Sequence, residues 1–282
     1  MEYREFGKTG FKVSVIGMGT WFDPFWTFVA AVFRIYRHAR ASIEALKIGL
    51  DAGINLIDTA EIYYTEPLVA KAIEGRKRDE LFIASKVWST HLHYDDVIKA
   101  CNRSLRKLRT SYIDLYQIHF PNSRVPINET MRAMEKLVDE GKIRYIGVSN
   151  FSLTQMIEAQ NALSKYELVS TQMEYNLLHR NIERDILPYC KKERIAVLAY
   201  YPLAHGKLAG SMFSSSSIYR TISLKYGGKT PAQIALNWLL SKSDIVFPIP
   251  RGSNPSHVKE NLGAVGWRLD ESDIDALEKF FT

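Results

Sequence analysis

From Ser42 onward the chain alternates between two hydrophobic rhythms. Short apolar runs bounded by turn residues give way to longer stretches whose apolar positions recur every three and four residues. These are the signatures of a buried strand and of an amphipathic helix. Ile43, Leu46 and Leu50 mark a first helix that Gly53 stops. Strands are predicted over residues 54–57, 81–85, 113–118, 143–148, 168–171, 195–199 and 245–249, with one more upstream at 15–18. Helices fill the intervals: 66–73, one carrying Val97, Cys101, Leu105 and Leu108, and one carrying Met131, Met134 and Leu137. Another opens with Ser152-x-x-Gln155 and one lies over 186–190. A further helix opens with Thr230-Pro-Ala-Gln233, where a capping residue, a proline at the first helical position and a box-closing glutamine coincide. A long loop is expected after residue 199, a barrel helix after Asn254-Pro255, and a final helix from Asp270.

Eight strand–helix pairs in strict alternation argue for a parallel sheet, and their number argues for closure. An open doubly wound sheet would call for G-x-G-x-x-G after the first strand, and that motif is missing. The expected fold is therefore a (β/α)8 TIM barrel with an N-terminal β-hairpin over residues 1–15 and an extra C-terminal helix, one domain over 1–282. Residues 21–40 interrupt the pattern. The segment 21–36 is dense in Phe, Trp, Val and Ala and is read as an apolar lid over the barrel mouth, or as a contact surface.

Composition narrows the function classes. Apolar content of 46% and charged content of 24% are ordinary for a globular chain. No apolar run reaches the ~20 residues of a membrane span, and the start, Met-Glu-Tyr-Arg-Glu-Phe, lacks a signal region, so a cytoplasmic protein is expected. Cys101 and Cys190 read as reduced core or surface thiols. The net charge of +6 mildly favours anionic ligands, but no basic block with interleaved aromatics suggests nucleic acid. His91-x-His93 with Asp95 and Asp96 reads as loop polarity rather than a metal site.

Chemistry concentrates at the C-terminal ends of the strands, where barrel active sites lie. Those exits carry Asp58, Lys86, His119, Ser149-Asn150, Gln172, Tyr200 and Arg251.

With these residues in view the chain resembles the aldo-keto reductase superfamily over nearly its whole length. The matching motifs are Gly19-Thr20-Trp21, Asp58-Thr-Ala-Glu-Ile-Tyr63, Ile83-Ala-Ser-Lys86-Val-Trp88, Asp114-Leu-Tyr-Gln-Ile-His119, Gly141 through Ser149-Asn150-Phe, Gln172, Ala199-Tyr200-Tyr201-Pro-Leu203, and Ile249-Pro-Arg251 running to Glu260-Asn261. The resemblance implies an NAD(P)H-dependent oxidoreductase that reduces aldehydes and ketones reversibly to alcohols, with a catalytic tetrad of Asp58, Tyr63, Lys86 and His119. Tyr63 would be the general acid, Lys86 and Asp58 would lower its pKa, and His119 would orient the carbonyl. It implies that Ser149, Asn150 and Gln172 meet the nicotinamide carboxamide, that Tyr200 lies under the ring, and that Tyr201 and Leu203 border the pyrophosphate. Gly19, Thr20 and Trp21 would lie along the cofactor. Arg251, Gly252, Ser253, Asn254, His257, Glu260 and Asn261 would hold the adenosine end.

Departures from the family pattern bear on these assignments. Arg251-Gly252 stands where Lys-Ser is common, and His257 where Arg is common; NADP(H) stays favoured over NAD(H). Tyr201 replaces a small serine. The loop after Tyr63 is short, which sets Tyr64 in competition for the acid position. Trp21, Phe22, Tyr64, Trp88 and Phe120 are the expected substrate walls, suited to an apolar or aromatic small-molecule carbonyl, in a monomer or small homo-oligomer. Two other readings remain open at the level of sequence: a nicotinamide-binding regulatory or scaffold subunit, and a lyase forming a Schiff base on Lys86.

Overall fold

The fold is known from a computed structural model that describes every residue except Asp23, Arg34, Arg37 and Thr282, with the side chains of Pro24 and Met212 also outside the description. Strands β1 (Tyr3–Glu5) and β2 (Lys12–Ser14) pair antiparallel as the predicted hairpin. Eight parallel strands follow: β3 (Met18–Gly19), β4 (Leu56–Asp58), β5 (Phe82–Val87), β6 (Ile113–Ile118), β7 (Ile143–Ser149), β8 (Leu168–Glu174), β9 (Ala196–Tyr200) and β10 (Val246–Pro248), in sequential order across one sheet.

Backbone hydrogen bonds at the seam turn that sheet into a barrel. Gly17 N donates to Pro248 O at 2.9 Å, Gly19 N to Pro250 O at 2.9 Å, and Gly252 N to Gly19 O at 2.8 Å. Glycine suits the close approach there: a Cβ on Gly19 would lie 3.0 Å from Ile249 O, a tight contact with backbone. The barrel expected from the sequence is the one observed.

The helices are α1 (Pro24–Phe33), α2 (Ala39–Asp51), α3 (Glu66–Ile73), α4 (Tyr94–Leu108), α5 (Ile127–Asp139), α6 (Leu153–Asn161), α7 (Ile186–Glu193), α8 (Ser211–Ser214), α9 (Ser217–Lys225), α10 (Pro231–Lys242), α11 (Pro255–Leu262) and α12 (Glu271–Phe280). Ser152 and Thr230 each close the expected capping box, and Asp270 caps α12, the extra C-terminal helix. Two expectations are corrected. The span after β9 is not simply a loop, since it winds into α8 and α9, with Phe213 and Ile222 buried. Strands β3, β4 and β10 are also shorter or shifted, and at the two outermost, β3 and β10, the pairing is completed by the seam contacts.

Two apolar layers fill the molecule. One lies between strands and helices. The other fills the barrel's lower interior with Phe6, Phe82, Phe247, Leu56, Leu115 and Leu198. The hairpin carries Phe6 into that interior, 4.6 Å from the Phe82 ring and 5.2 Å from Phe247, and so plugs the N-terminal end. The opposite end stays polar.

Candidate active site

The parallel register decides which side chains meet at that polar end. Asp58 ends β4 opposite Ala84, and Lys86 lies two residues farther along β5, opposite Gln117. The Lys86 ammonium donates to Asp58 Oδ1 at 2.8 Å, to Oδ2 at 2.7 Å and to Thr59 O at 2.9 Å, which uses all three of its protons. Lys86 is wholly buried. Burial pulls its pKa down, and the charge and hydrogen bonds of Asp58 oppose that pull.

Tyr63 ends a single 3-10 turn, Glu61–Tyr63. Tyr64 then adopts φ 59°, a left-handed conformation uncommon for a tyrosine, and the two neighbouring phenols part company. The Tyr63 hydroxyl lies 3.4 Å from His119 Nε2, with Lys86 Nζ 4.8 Å from its ring centre. The Tyr64 ring lies beside Lys107 of α4, 5.3 Å from the ammonium.

The Tyr63 phenol departs from the sequence-based expectation. Its pKa is raised well above the ordinary value, first by burial, then by the charge of Asp58 and by Tyr201 and Tyr200. Burial and the Asp58 carboxylate thus act against whatever lowering the Lys86 ammonium supplies. Burial thereby favours the neutral phenol at Tyr63.

His119 follows β6 directly. Its ring stacks on Phe120 at 5.2 Å and meets the edges of Trp88 and Tyr63, each at 5.3 Å. Burial, helped by the Lys86 charge, lowers its pKa to about 2, so the imidazole is neutral. Its buried Nδ1 has no hydrogen-bond partner among the described residues.

A second polar group adjoins the first. Ser149 Oγ donates to Gln172 O at 3.0 Å, and Asn150 Nδ2 donates to His119 O at 3.0 Å. Tyr200 OH donates to Asn150 Oδ1 at 2.8 Å. Gln172 Nε2 donates to Asp58 Oδ1 at 2.8 Å, which joins this group to the lysine–aspartate pair. Asn150 takes φ 62°, aiming its amide across the barrel end. These amides, hydroxyls and the Tyr200 ring are the donors, acceptors and flat face that a nicotinamide carboxamide and its ring require.

Farther round, Thr20 N donates to Asp58 O at 3.0 Å and Thr20 Oγ1 lies 2.8 Å from Thr65 Oγ1. The Trp21 ring meets Tyr201 edge-on at 5.6 Å, and Tyr201 packs on His205 at 3.7 Å. Tyr201, also at positive φ (47°), stays half-buried, with half-buried Leu203 beyond it. At the seam, Arg251 and His257 are exposed, Gly252 and Asn261 are buried, and Ser253, Asn254 and Glu260 lie between those extremes. Asn254 caps α11 by accepting from Ser256 N at 2.9 Å. A helix N-terminus beside an exposed guanidinium suits a phosphate.

The residues expected as substrate walls divide. Trp88 and Phe120 pack on His119 and on each other at 5.8 Å. Phe22 is instead buried in a small cleft with Leu46, Thr65 and Leu68. The apolar segment 21–40 forms α1, with Ala30 buried and Phe25, Phe28, Val32 and Phe33 exposed; Asp23, Arg34 and Arg37 of that segment lie outside the described residues. His91 pairs with Glu61 and His93 with Glu129.

Sequence reading missed Glu61. Its buried carboxylate accepts from Trp88 N at 3.1 Å and from Arg103 Nη2 at 2.7 Å, and His91 Nδ1 lies at 3.1 Å. The partners lie far along the chain, so no local spacing announces them.

Known proteins show the same arrangement of chain. The model of the "Aldo/keto reductase family" matches residues 16–281. The "Methylglyoxal reductase YeaE" of Escherichia coli (strain K12) is 32% identical over 96% of this chain and 92% of its own length. A thermostable aldo-keto reductase, Tm1743, solved with the inhibitor epalrestat, superposes with a TM-score of 0.88 at 38% identity, covering 99% of both chains. An aldo-keto reductase from Klebsiella pneumoniae, solved with NADPH, gives a TM-score of 0.86 at 35% identity over 100% of this chain and 96% of its own.

Proposed function

The chain belongs to the aldo/keto reductase family, and we propose that it is an NADP(H)-dependent oxidoreductase that reduces aldehydes and ketones reversibly to alcohols. The observation that carries this reading is Tyr63: a buried, neutral phenol 3.4 Å from a neutral His119 and beside the Lys86–Asp58 ion pair. Reduction of a carbonyl leaves an alkoxide that needs a proton, and a neutral phenol beside that oxygen can give one to so strong a base. Neutral His119 Nε2 orients the carbonyl oxygen toward the Tyr63 hydroxyl. Asp58 and Lys86 hold the local field and the position of the ring.

The donor set fits a nicotinamide cofactor, whose part is to supply the hydride. Ser149, Asn150 and Gln172 would hold its carboxamide and Tyr200 its ring face. Arg251 and the start of α11 would take the adenosine phosphates, and a guanidinium there favours NADP(H) over NAD(H). Trp88 and Phe120, which pack on His119, suit small or apolar carbonyl substrates; a relative named for methylglyoxal supports a small aldehyde as the first to try. The Schiff-base alternative is disfavoured because every Lys86 proton is bonded and Asp58 keeps the amine in its charged form.

The test is oxidation of NADPH, and of NADH, against a panel of carbonyls by wild type, Tyr63→Phe and Tyr64→Phe. Removing a general acid costs roughly 10²–10⁴-fold in kcat, so Tyr63→Phe loses turnover on that scale while Tyr64→Phe retains it. Full activity in Tyr63→Phe would refute the assignment of the acid. A wild type that binds NADPH tightly and reduces nothing would point to a regulatory subunit.

A further inference from the structure

We infer that Glu61 is a positioning residue for the proposed reaction, holding the turn of the acid Tyr63 against the wall of the substrate pocket. The inference rests on the reading of Tyr63 as the proton donor.

Tyr63 belongs to no regular element of any length. It sits in one 3-10 turn between β4 and α3, and the next residue is held at a strained left-handed φ. Such a segment keeps its shape only if its surroundings fix it. Glu61, two residues before the acid, turns away from the reacting atoms and reaches the exit of β5. Its Oε2 accepts from the backbone N–H of Trp88, and its Oε1 takes the Arg103 guanidinium at 2.7 Å from the outer helix α4. His91 lies against the same carboxylate. Glu61 is buried with only 8% of its surface exposed, so these charge-assisted bonds are made away from bulk water. At the far end of the segment Glu66 is wholly buried, accepting from Ser85 Oγ at 2.9 Å. The span from residue 61 to 66 is thus tied to β5 at both ends, with the Tyr63 phenol between the ties.

The tie at Glu61 matters for chemistry because of what else Trp88 does. Its ring leans on His119 at 5.3 Å and on Phe120 at 5.8 Å. One carboxylate therefore fixes the relative placement of the donor (through the turn) and of the orienting imidazole with its apolar wall (through Trp88). The Tyr63–His119 separation of 3.4 Å is already at the long end for a hydrogen bond. A further displacement of the turn would break the alignment of the two groups on one carbonyl oxygen. Arg103 is the other half of the device: its side chain, part-exposed on α4, neutralises a carboxylate that would otherwise be stranded in the interior.

The experiment is steady-state kinetics with direct NADPH titration by fluorescence, on Glu61→Gln, Arg103→Ala and Arg103→Lys, each also combined with Tyr63→Phe. Displacement of a reacting group by about 1 Å costs on the order of 10²-fold in rate, so Glu61→Gln loses kcat on that scale with NADPH affinity unchanged. Arg103→Ala follows in the same direction, and Arg103→Lys, which restores the cation, recovers most of the loss. In the Tyr63→Phe background Glu61→Gln has a clearly smaller effect than in wild type, because one of the two groups it positions, the phenol, is gone while His119 remains. The inference is overturned if Glu61→Gln keeps wild-type kcat while Tyr63→Phe loses it, a result that leaves the acid assignment standing. It is also overturned if Glu61→Gln lowers kcat equally in both backgrounds, or if kcat and NADPH binding fall together. If Tyr63→Phe itself keeps full activity, the acid assignment fails and the inference fails with it. Should Glu61→Gln not fold, the Arg103 pair gives the same readouts.

Discussion

Each end of the barrel buries an aspartate, and the two are partnered differently. At the N-terminal end Asp114, near the start of β6, accepts from Arg78 at 2.6 Å, Arg144 at 3.1 Å and the Ile83 N–H at 2.9 Å. Both arginines reach toward water, with side chains 19% and 36% exposed, and both lie over the Tyr112 ring at 4.1 Å. At the C-terminal end Asp58 is paired with Lys86, and neither side chain is more than 4% exposed. The lower pair lets its cations keep part of their hydration, whereas the upper pair has given up water altogether. The difference separates a bond that closes a structure from one that maintains a charge pattern inside a site. The rest of each end agrees: aromatic plug below, titratable groups above.

The largest expected effect comes from breaking the upper pair. Lys86→Met strands Asp58 in the interior, so unfolding in urea should show a loss of about 3–5 kcal/mol, with turnover falling as well. A variant that loses turnover but keeps wild-type stability would mean that the dry pair is not the costly one. At the lower end, Phe82→Ala removes the ring packed on Phe6, Phe11 and Tyr145. It should cost about 3–5 kcal/mol of stability and leave NADPH affinity as it was. An altered cofactor affinity would show that the two ends are mechanically coupled.

A smaller effect is expected from acid. The His119 imidazole, with a pKa of about 2 in the fold, remains neutral where an unfolded histidine protonates near pH 6.5. The unfolded chain therefore binds the extra proton, and stability is lost as pH falls below 6.5, by about 1.4 kcal/mol per pH unit for this group alone. His119→Asn should show a shallower decline between pH 7 and 5 than wild type. Identical slopes would mean that the imidazole protonates in the folded state.

Much of this was legible in one dimension. The strand rhythm gave the barrel, and the residues at each run's end gave Asp58, Lys86, His119 and Gln172, because a parallel register brings such ends together by geometry alone. The resemblance names Tyr63 the acid but leaves Tyr64 in competition; the left-handed φ of Tyr64 accompanies one ring lying inward and the other beside Lys107. Glu61 was invisible because its partners come from β5 and α4. Sequence shows that a lysine is near Tyr63, but not how deeply the phenol is buried, and burial is the first cause of its raised pKa. In α8 and α9 the apolar positions are too few to set a period, and burial of Phe213 and Ile222 comes only from packing.

The glycine seam has a consequence for how the molecule is made. The two strands that close the ring are the first and the last of the sheet, so Gly19 waits for Pro250 and Gly252 until every other strand has been made. Until then β3 presents an unpaired edge, and the contact that shuts the barrel carries the largest sequence separation of any strand pairing in the sheet, with a loop-closure entropy to match. Arg251 enters the structure in that same event. The proposed phosphate end of the cofactor site would thus be completed by the step that closes the ring.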